Sequence, residues 1–179
     1  MKLKKILAIC LGIFILVGCT NTNNTPSKKV EDFLSKYQKL DDDVLTQLDL
    51  TLDNDQDMSD DQKKDYRALM EKQYQNLSYK ITDEKEEDDT ATVEAEIEVY
   101  DYQTSVTKST EYFNSHKDEF VTDADKDGTK KFIDYKIKEM KNVSDKTKYT
   151  MTFNLTKNNG EWILDDITDT DRQKLHGLY

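Results

Sequence analysis

The segment from Ala91 to Tyr100 alternates without interruption. Val93, Ala95, Ile97 and Val99 fall on one side, and Glu94, Glu96 and Glu98 fall on the other. A pleated strand sends successive side chains to opposite faces, so this spacing predicts a half-buried antiparallel strand with one wet face. The dry face needs a cover.

Helical spacing on both sides of the strand supplies it. Val30, Phe33, Leu34, Tyr37, Leu40, Val44, Leu45 and Leu48 repeat at a helical period, and Pro26 stands where a first turn tolerates it; one helix is expected over Ser27–Leu48. A turn-rich acidic stretch, Thr51–Asp57, follows. Ser59-Asp60-Asp61-Gln62 has the form of a capping box with acidic residues at the positive end of the helix dipole, and Tyr66, Leu69, Met70, Tyr74 and Leu77 mark that helix's buried stripe. Tyr79–Thr82 predicts a short strand ended by the polar turn Asp83–Asp89. Beyond the alternating strand, Val106, Thr110, Phe113, Lys117 and Phe120, then Phe132, Ile133, Ile137 and Met140, predict two helices around the loop Asp123–Gly128. Tyr149, Met151, Phe153 and Leu155 alternate again, Asn158-Asn159-Gly160 suits the positive φ of a hairpin turn, and Trp162-Ile163-Leu164 is the return strand. Asp169–Tyr179 reads as a short polar tail.

This order gives an α+β fold: a curved antiparallel sheet of about four strands packed on N-terminal helices, with a helical insert between the two strand pairs. Of the 179 residues 35% are hydrophobic and 35% charged, enough for one small core but not two, so residues 28–179 are expected to form a single domain. The formal charge of −11 opposes contact with a phosphate backbone, and no nucleic-acid partner is expected. Cys10 and Cys19 both precede the domain, which excludes a disulfide scaffold.

The amino terminus carries an address. Lys2, Lys4 and Lys5 precede an apolar run from Ile6 to Val17, the layout of a secretory signal. As a helix that run would reach about 18 Å, too short for a hydrocarbon layer of about 30 Å. It ends in Leu16-Val17-Gly18-Cys19, which resembles the lipobox of bacterial lipoproteins. The resemblance implies that residues 1–18 are a signal peptide removed by a dedicated peptidase, and that the Cys19 thiol carries a diacylglycerol with palmitate-like chains. The partner is then the cell membrane, on its extracytoplasmic face, and two acyl chains make the anchor stable. Residues 19–27 comprise the lipidated cysteine and a polar tether. Lysine outnumbers arginine 24 to 2 and asparagine is common, which suits a low-GC Gram-positive host.

The helix KVEDFLSKYQKLDDDVL and the run from Phe132 to Tyr179, with its NNG turn and EWILDDI strand, resemble uncharacterised Gram-positive lipoproteins of the nuclear-transport-factor-2-like (cystatin-like) superfold. The resemblance implies a cone-prone sheet under N-terminal helices. That superfold hosts enzymes, ligand binders and interaction domains, so the likeness leaves function open.

One internal segment carries a recognisable pattern. Asp123 to Asp134 resembles an EF-hand calcium loop, with Asp123, Asp125 and Asp127 at the first three ligand places, Gly128 at the sharp turn, a carbonyl from Thr129 and a carboxylate from Asp134. Lys130, Lys131 and the short Asp134 depart from the pattern, and a solvated acidic turn is the alternative for the same residues. Asp53, Asp55 and Asp57 repeat the spacing without the glycine. Calcium is the one cofactor suggested.

Catalysis has little material. The histidines are His116, at a helix boundary beside Phe113 and Phe120, and His176; there is no HExxH, GxSxG, P-loop or GxGxxG motif. No catalytic residue is assigned and no enzyme is expected. Glu94, Glu96 and Glu98 read as a solvated face. Among ten tyrosines, Tyr100 and Tyr102 are placed on that face and Tyr112 and Tyr135 on the outer sides of their helices, as amphipathic rim or as contacts to carbohydrate or peptide. Three readings follow in order: a non-catalytic, membrane-anchored domain that binds a small ligand or an envelope protein; a calcium-responsive surface module built on Asp123–Asp134; and a cavity enzyme of the same superfold.

Overall fold

In the computed structural model, which describes residues 24–179, the elements run α1 (Pro26–Gln38), α2 (Asp42–Asn54), α3 (Asp60–Gln75), β1 (Ser78–Glu87), β2 (Thr90–Tyr100), α4 (Tyr102–Ser115), α5 (Lys117–Phe120), α6 (Thr129–Lys141), β3 (Lys146–Asn158), β4 (Glu161–Leu164) and α7 (Asp169–His176). The signal segment, the lipobox and Cys19 lie outside the described residues. The four strands form one open antiparallel sheet in the order β1-β2-β3-β4. This is the expected α+β architecture, N-terminal helices first and a helical insert between the strand pairs.

The alternation in β2 does what it predicts. Val93, Ala95, Ile97 and Val99 are wholly buried, and their partners across β3 are Phe153, Met151, Tyr149 and Thr147. Val30 and Leu34 of α1, Leu69 and Met70 of α3, and Leu175 of α7 close over that face. Each large apolar side chain so covered contributes roughly 1.5–3 kcal/mol. On the outer face, Lys148 pairs with Glu96 at 2.7 Å and Lys146 with Glu98 at 3.9 Å. The Asn-Gly turn is as expected, with Asn159 at φ 51° and Gly160 at φ 84°.

Five boundaries differ from expectation, one of them in the insert, where the helix read through Val106–Phe120 breaks at His116 into α4 and α5. The single helix over Ser27–Leu48 is broken into α1 and α2 at Leu40, which takes φ 54°. Leu40 N–H bonds to Tyr37 O and Asp41 N–H to Lys36 O, the paired bonds of a Schellman stop, after which the Asp41 carboxylate accepts from Asp43 N–H and starts α2. A leucine there hides the break, because glycine is the usual sign of it. The second helix then runs through the start of the expected acidic turn, to Asn54.

The expected turn Asp83–Asp89 is mostly strand. β1 continues to Glu87 and only Asp88-Asp89 turns, since backbone pairing with Thr90–Glu94 needs no apolar side chains. A bulge between Ile81 and Asp83 shifts the register. It puts Glu84 opposite Val93, where its carboxylate accepts from Ser27 N–H at 2.8 Å, at the amino end of α1.

The tether also ends earlier than expected. The Asn24 amide donates to Gly160 O at 2.8 Å while its carbonyl accepts from Trp162 N–H at 3.0 Å, and Thr25 caps α1. The chain therefore enters the domain beside the β3–β4 turn. The insert stands at the other end of the sheet, between the last residue of β2 and the first of β3.

Finally, the polar tail is the helix α7. The Thr168 hydroxyl accepts from Asp171 N–H at 3.1 Å, Gly177 stops the helix at φ 69°, and Leu178 N–H bonds back to Gln173 O. A Cβ at Gly177 would collide with the Tyr100 carbonyl and the Gln73 side chain. Gln73 is wholly buried and holds both Tyr100 N–H (2.9 Å) and Tyr100 O (3.1 Å), acting as a strand partner at the end of β2. No helix among the described residues is long and apolar enough to cross a membrane.

Candidate functional site

The acidic loop is built around the start of α6. Gly128 takes φ 76°, and a side chain there would press on the Phe120 Cβ at 2.9 Å, so this position demands glycine. Asp127 accepts from Thr129 N–H at 3.0 Å, which holds its carboxyl below the usual carboxylate range. Asp125 accepts from Lys131 N–H at 3.1 Å. Both carboxylates thus meet the unpaired N–H groups of a helix amino end.

Asp134 lies a turn further on, where it accepts at 2.7 Å from the buried amide of Gln62 on α3. Gln62 also forms the expected capping box with Ser59 and donates to Lys130 O at 2.8 Å, so it ties α3 to α6. Asp123 is exposed at the tip, and Thr129 is the first residue of α6. Among the described residues no group of three or more His, Cys, Asp or Glu side chains is placed to hold a metal ion. The helix leading into the loop is only the four-residue α5.

The other expected contact residues scatter. Tyr102 is not on the glutamate face: as the first residue of α4 it is wholly buried, and its hydroxyl has no partner among the described residues. Tyr100 does sit there, half-buried under Lys72 and Lys146. Tyr112 and Tyr135 face each other across α4 and α6, with centroids 5.2 Å apart, in an aromatic cluster with Phe113, Phe120 and Phe132. His116 is exposed at the end of α4, stacked on Tyr112 at 4.1 Å.

On the inner face of the sheet, Met70, Met151 and Phe153 are buried in the core. The enclosed space lies on the helical side. A cavity of about 130 Å³ opens between α1, α2, α3 and α7. Val44, Leu48 and Leu52 of α2 supply one wall, and Tyr37 and Tyr74, packed edge to face at 5.1 Å, supply another with Tyr66. Arg172 and His176, one turn apart on α7, bring the polar groups. A wider cleft of about 260 Å³ between α4 and α6 is shallower, rimmed by Asp101, Lys108, Glu139 and Asp145.

The electrostatics of the cavity follow from burial. Tyr74 Oη and His176 Nε2 are 2.9 Å apart, and in the tautomer with the proton on Nδ1 the hydroxyl donates to the ring. Burial pushes the Tyr66 and Tyr74 hydroxyls well above the ordinary tyrosine range. It also raises Tyr37, where the positive charge of Arg172 works in the opposite direction. Burial, aided by Arg172, pushes His176 down to about 4. At neutral pH the cavity therefore holds a neutral imidazole, three neutral phenols and one cation. Such a set orients a ligand by hydrogen bonds; a histidine this acidic is a weak base near neutrality.

Read as a short polar tail, Asp169–Tyr179 gives His176 and Arg172 no common face and no site. The signal was present: Thr168 three places before Asp171, and Gly177 after His176, bracket a helix that puts both residues on one face. No family model, curated protein or solved structure matches the chain.

Proposed function

We propose that this protein is a membrane-anchored extracytoplasmic lipoprotein whose domain binds a small ligand without catalysis, in the cavity between α1, α2, α3 and α7. The observation that carries the binding half is the convergence of Tyr37, Tyr74, Arg172 and His176, from three helices far apart in sequence, on one partly enclosed apolar space. The lipobox at Leu16–Cys19 and the resemblance to Gram-positive lipoproteins support the anchored half. The pinning of Asn24 beside the β3–β4 turn suits it too: five residues past Cys19 the chain is already held, so the tether is short and the domain stays close to the bilayer.

Two measurements test the two halves. Cys19→Ser should abolish incorporation of labelled palmitate and move the chain from the membrane to the soluble fraction; retention of both would end the anchored reading. A melting-temperature screen of ring-sized compounds should find some that stabilise the wild type and not Thr51→Trp, which places a large side chain on an exposed position at the cavity wall. Equal shifts in both proteins would end the cavity reading.

A further inference from the structure

The cavity's size, lining and charge say more than that something binds. At about 130 Å³ it is close to the volume of roughly 150 Å³ known to admit a benzene-sized guest in an apolar protein cavity. Its walls are aliphatic and aromatic: Val44, Leu48 and Leu52 against Tyr37, Tyr66 and Tyr74. One compact apolar group fits, and a fused ring system or a sugar with its many hydroxyls does not suit such a lining.

The polar end is set by Arg172. Arg172 lines the cavity together with Tyr37 and His176 and stands one turn before His176 on α7. Its carboxylate contact, Asp169 at 3.6 Å, has a side chain 97% exposed, so water screens that pair and leaves Arg172 open to a better partner. Lys36, which lines the neighbouring cleft with Tyr37 and Val44, is held by Asp43 at 2.9 Å. Tyr37 lines the same cavity, and its hydroxyl is a second donor. One cation with one phenol matches a single negative charge. A three-tyrosine wall also resembles a cage for a quaternary ammonium, but an arginine in the same cavity repels such a guest.

Building on the cavity as a ligand site, we propose that it takes a small carboxylate with a single-ring or equally compact apolar body, the body among Leu48, Leu52 and the tyrosines and the carboxylate on Arg172 and the Tyr37 hydroxyl. The carboxylate stays at the mouth, half in water, where desolvation is modest and the arginine fork supplies paired donors. The neutral His176, fixed by Tyr74, keeps a second positive charge out of the floor and lets the apolar body settle there.

Benzoate is the probe. The full-length chain is extracted in detergent, and equilibrium dialysis is run with labelled benzoate against protein-free micelles. Benzoate should bind the wild type at least about tenfold more tightly than Arg172→Met, and at least about tenfold more tightly than the wild type binds benzyl alcohol, the loss expected when one charge-assisted contact goes. Thr51→Trp should remove binding of both. Arg172→Met keeps the apolar stem of an exposed side chain, so the fold survives it. If benzyl alcohol binds as well as benzoate, or Arg172→Met is unaffected, or tetramethylammonium is preferred, the carboxylate assignment is overturned while the cavity remains a ligand site. If no probe distinguishes the wild type from Thr51→Trp, the assignment and the cavity reading both fall.

Discussion

The loop Asp123–Gly128 and the tail Thr168–Tyr179 invite comparison. Both are polar, and in both a glycine in the left-handed region marks the end of a helix, Gly128 at φ 76° before α6 and Gly177 at φ 69° after α7. The loop carries the most regular ligand-like spacing in the chain, yet Asp125 and Asp127 turn back onto the N–H groups of α6 and Asp134 turns away to Gln62. The tail has no ligand-like spacing, yet it brings Arg172 and His176 against residues from α1, α2 and α3. Spacing within a dozen residues records what the local backbone requires. A cavity with chemistry in it depends on groups that the fold gathers from more than a hundred positions apart, such as Tyr74 and His176.

The sharpest way to break this comparison is to remove each segment's hold on the domain. Leu175 is 1% exposed and inserts α7 into the core. Leu175→Ala should destabilise the protein by about 2–5 kcal/mol in urea unfolding, as buried leucine truncations do. Asp123→Ala, at the exposed tip of the loop, should leave the unfolding midpoint where it was. Equal effects from the two would mean that α7 is no more integral to the domain than the loop is.

A second test uses pH. His176 is held at about 4 against 6.5 for the free side chain. Between those values the unfolded chain takes up a proton that the folded chain refuses, so stability falls as pH drops through that window and levels off below it. The loss is on the order of 2–3 kcal/mol. Tyr74 of α3 contacts the ring, Tyr37, Tyr66 and Arg172 line the same cavity, and burial raises all three tyrosines, away from this range. The difference between wild type and His176→Gln, measured from pH 7 to 4, isolates the effect from carboxylates elsewhere. Parallel curves would place the histidine in water instead.

Most of the architecture was legible where one period ran long enough to exclude the other. The β2 alternation, the Ser59–Gln62 capping box, the stripe of α3 and the NNG hairpin all stand as read. The misses share a cause: a backbone feature made by residues that do not advertise it. Leu40 takes a glycine-like conformation, β1 extends through Asp83–Glu87 by main-chain pairing without apolar side chains, and α7 is short and polar with its apolar contact reduced to Leu175. The cavity was illegible for a further reason. Its wall from α2 exists only because the chain turns at Leu40, and its polar groups exist only because the tail is helical; neither condition is local to the residues that line it.

The smallest expected effects belong to the loop. Asp127→Ala removes an acceptor from the amino end of α6, so it should lower the melting temperature by less than Leu175→Ala does, with Asp127→Asn keeping most of the cap. Because its folded carboxyl is held low, the contribution is present at neutral pH and lost as pH falls below the carboxylate range. Calcium should do less still. Binding would require Asp134 to leave Gln62, and Asp125 and Asp127 to release the N–H groups of Lys131 and Thr129, for a lone loop of the weak class that binds at about 10⁻⁴–10⁻³ M. Melting with millimolar calcium, magnesium or chelator should therefore give one curve. A calcium-specific rise that disappears in Asp123→Ala would reverse the comparison: the loop would then be a metal site whose ligands are freed from backbone duty by the ion itself, and the regular spacing would be function after all.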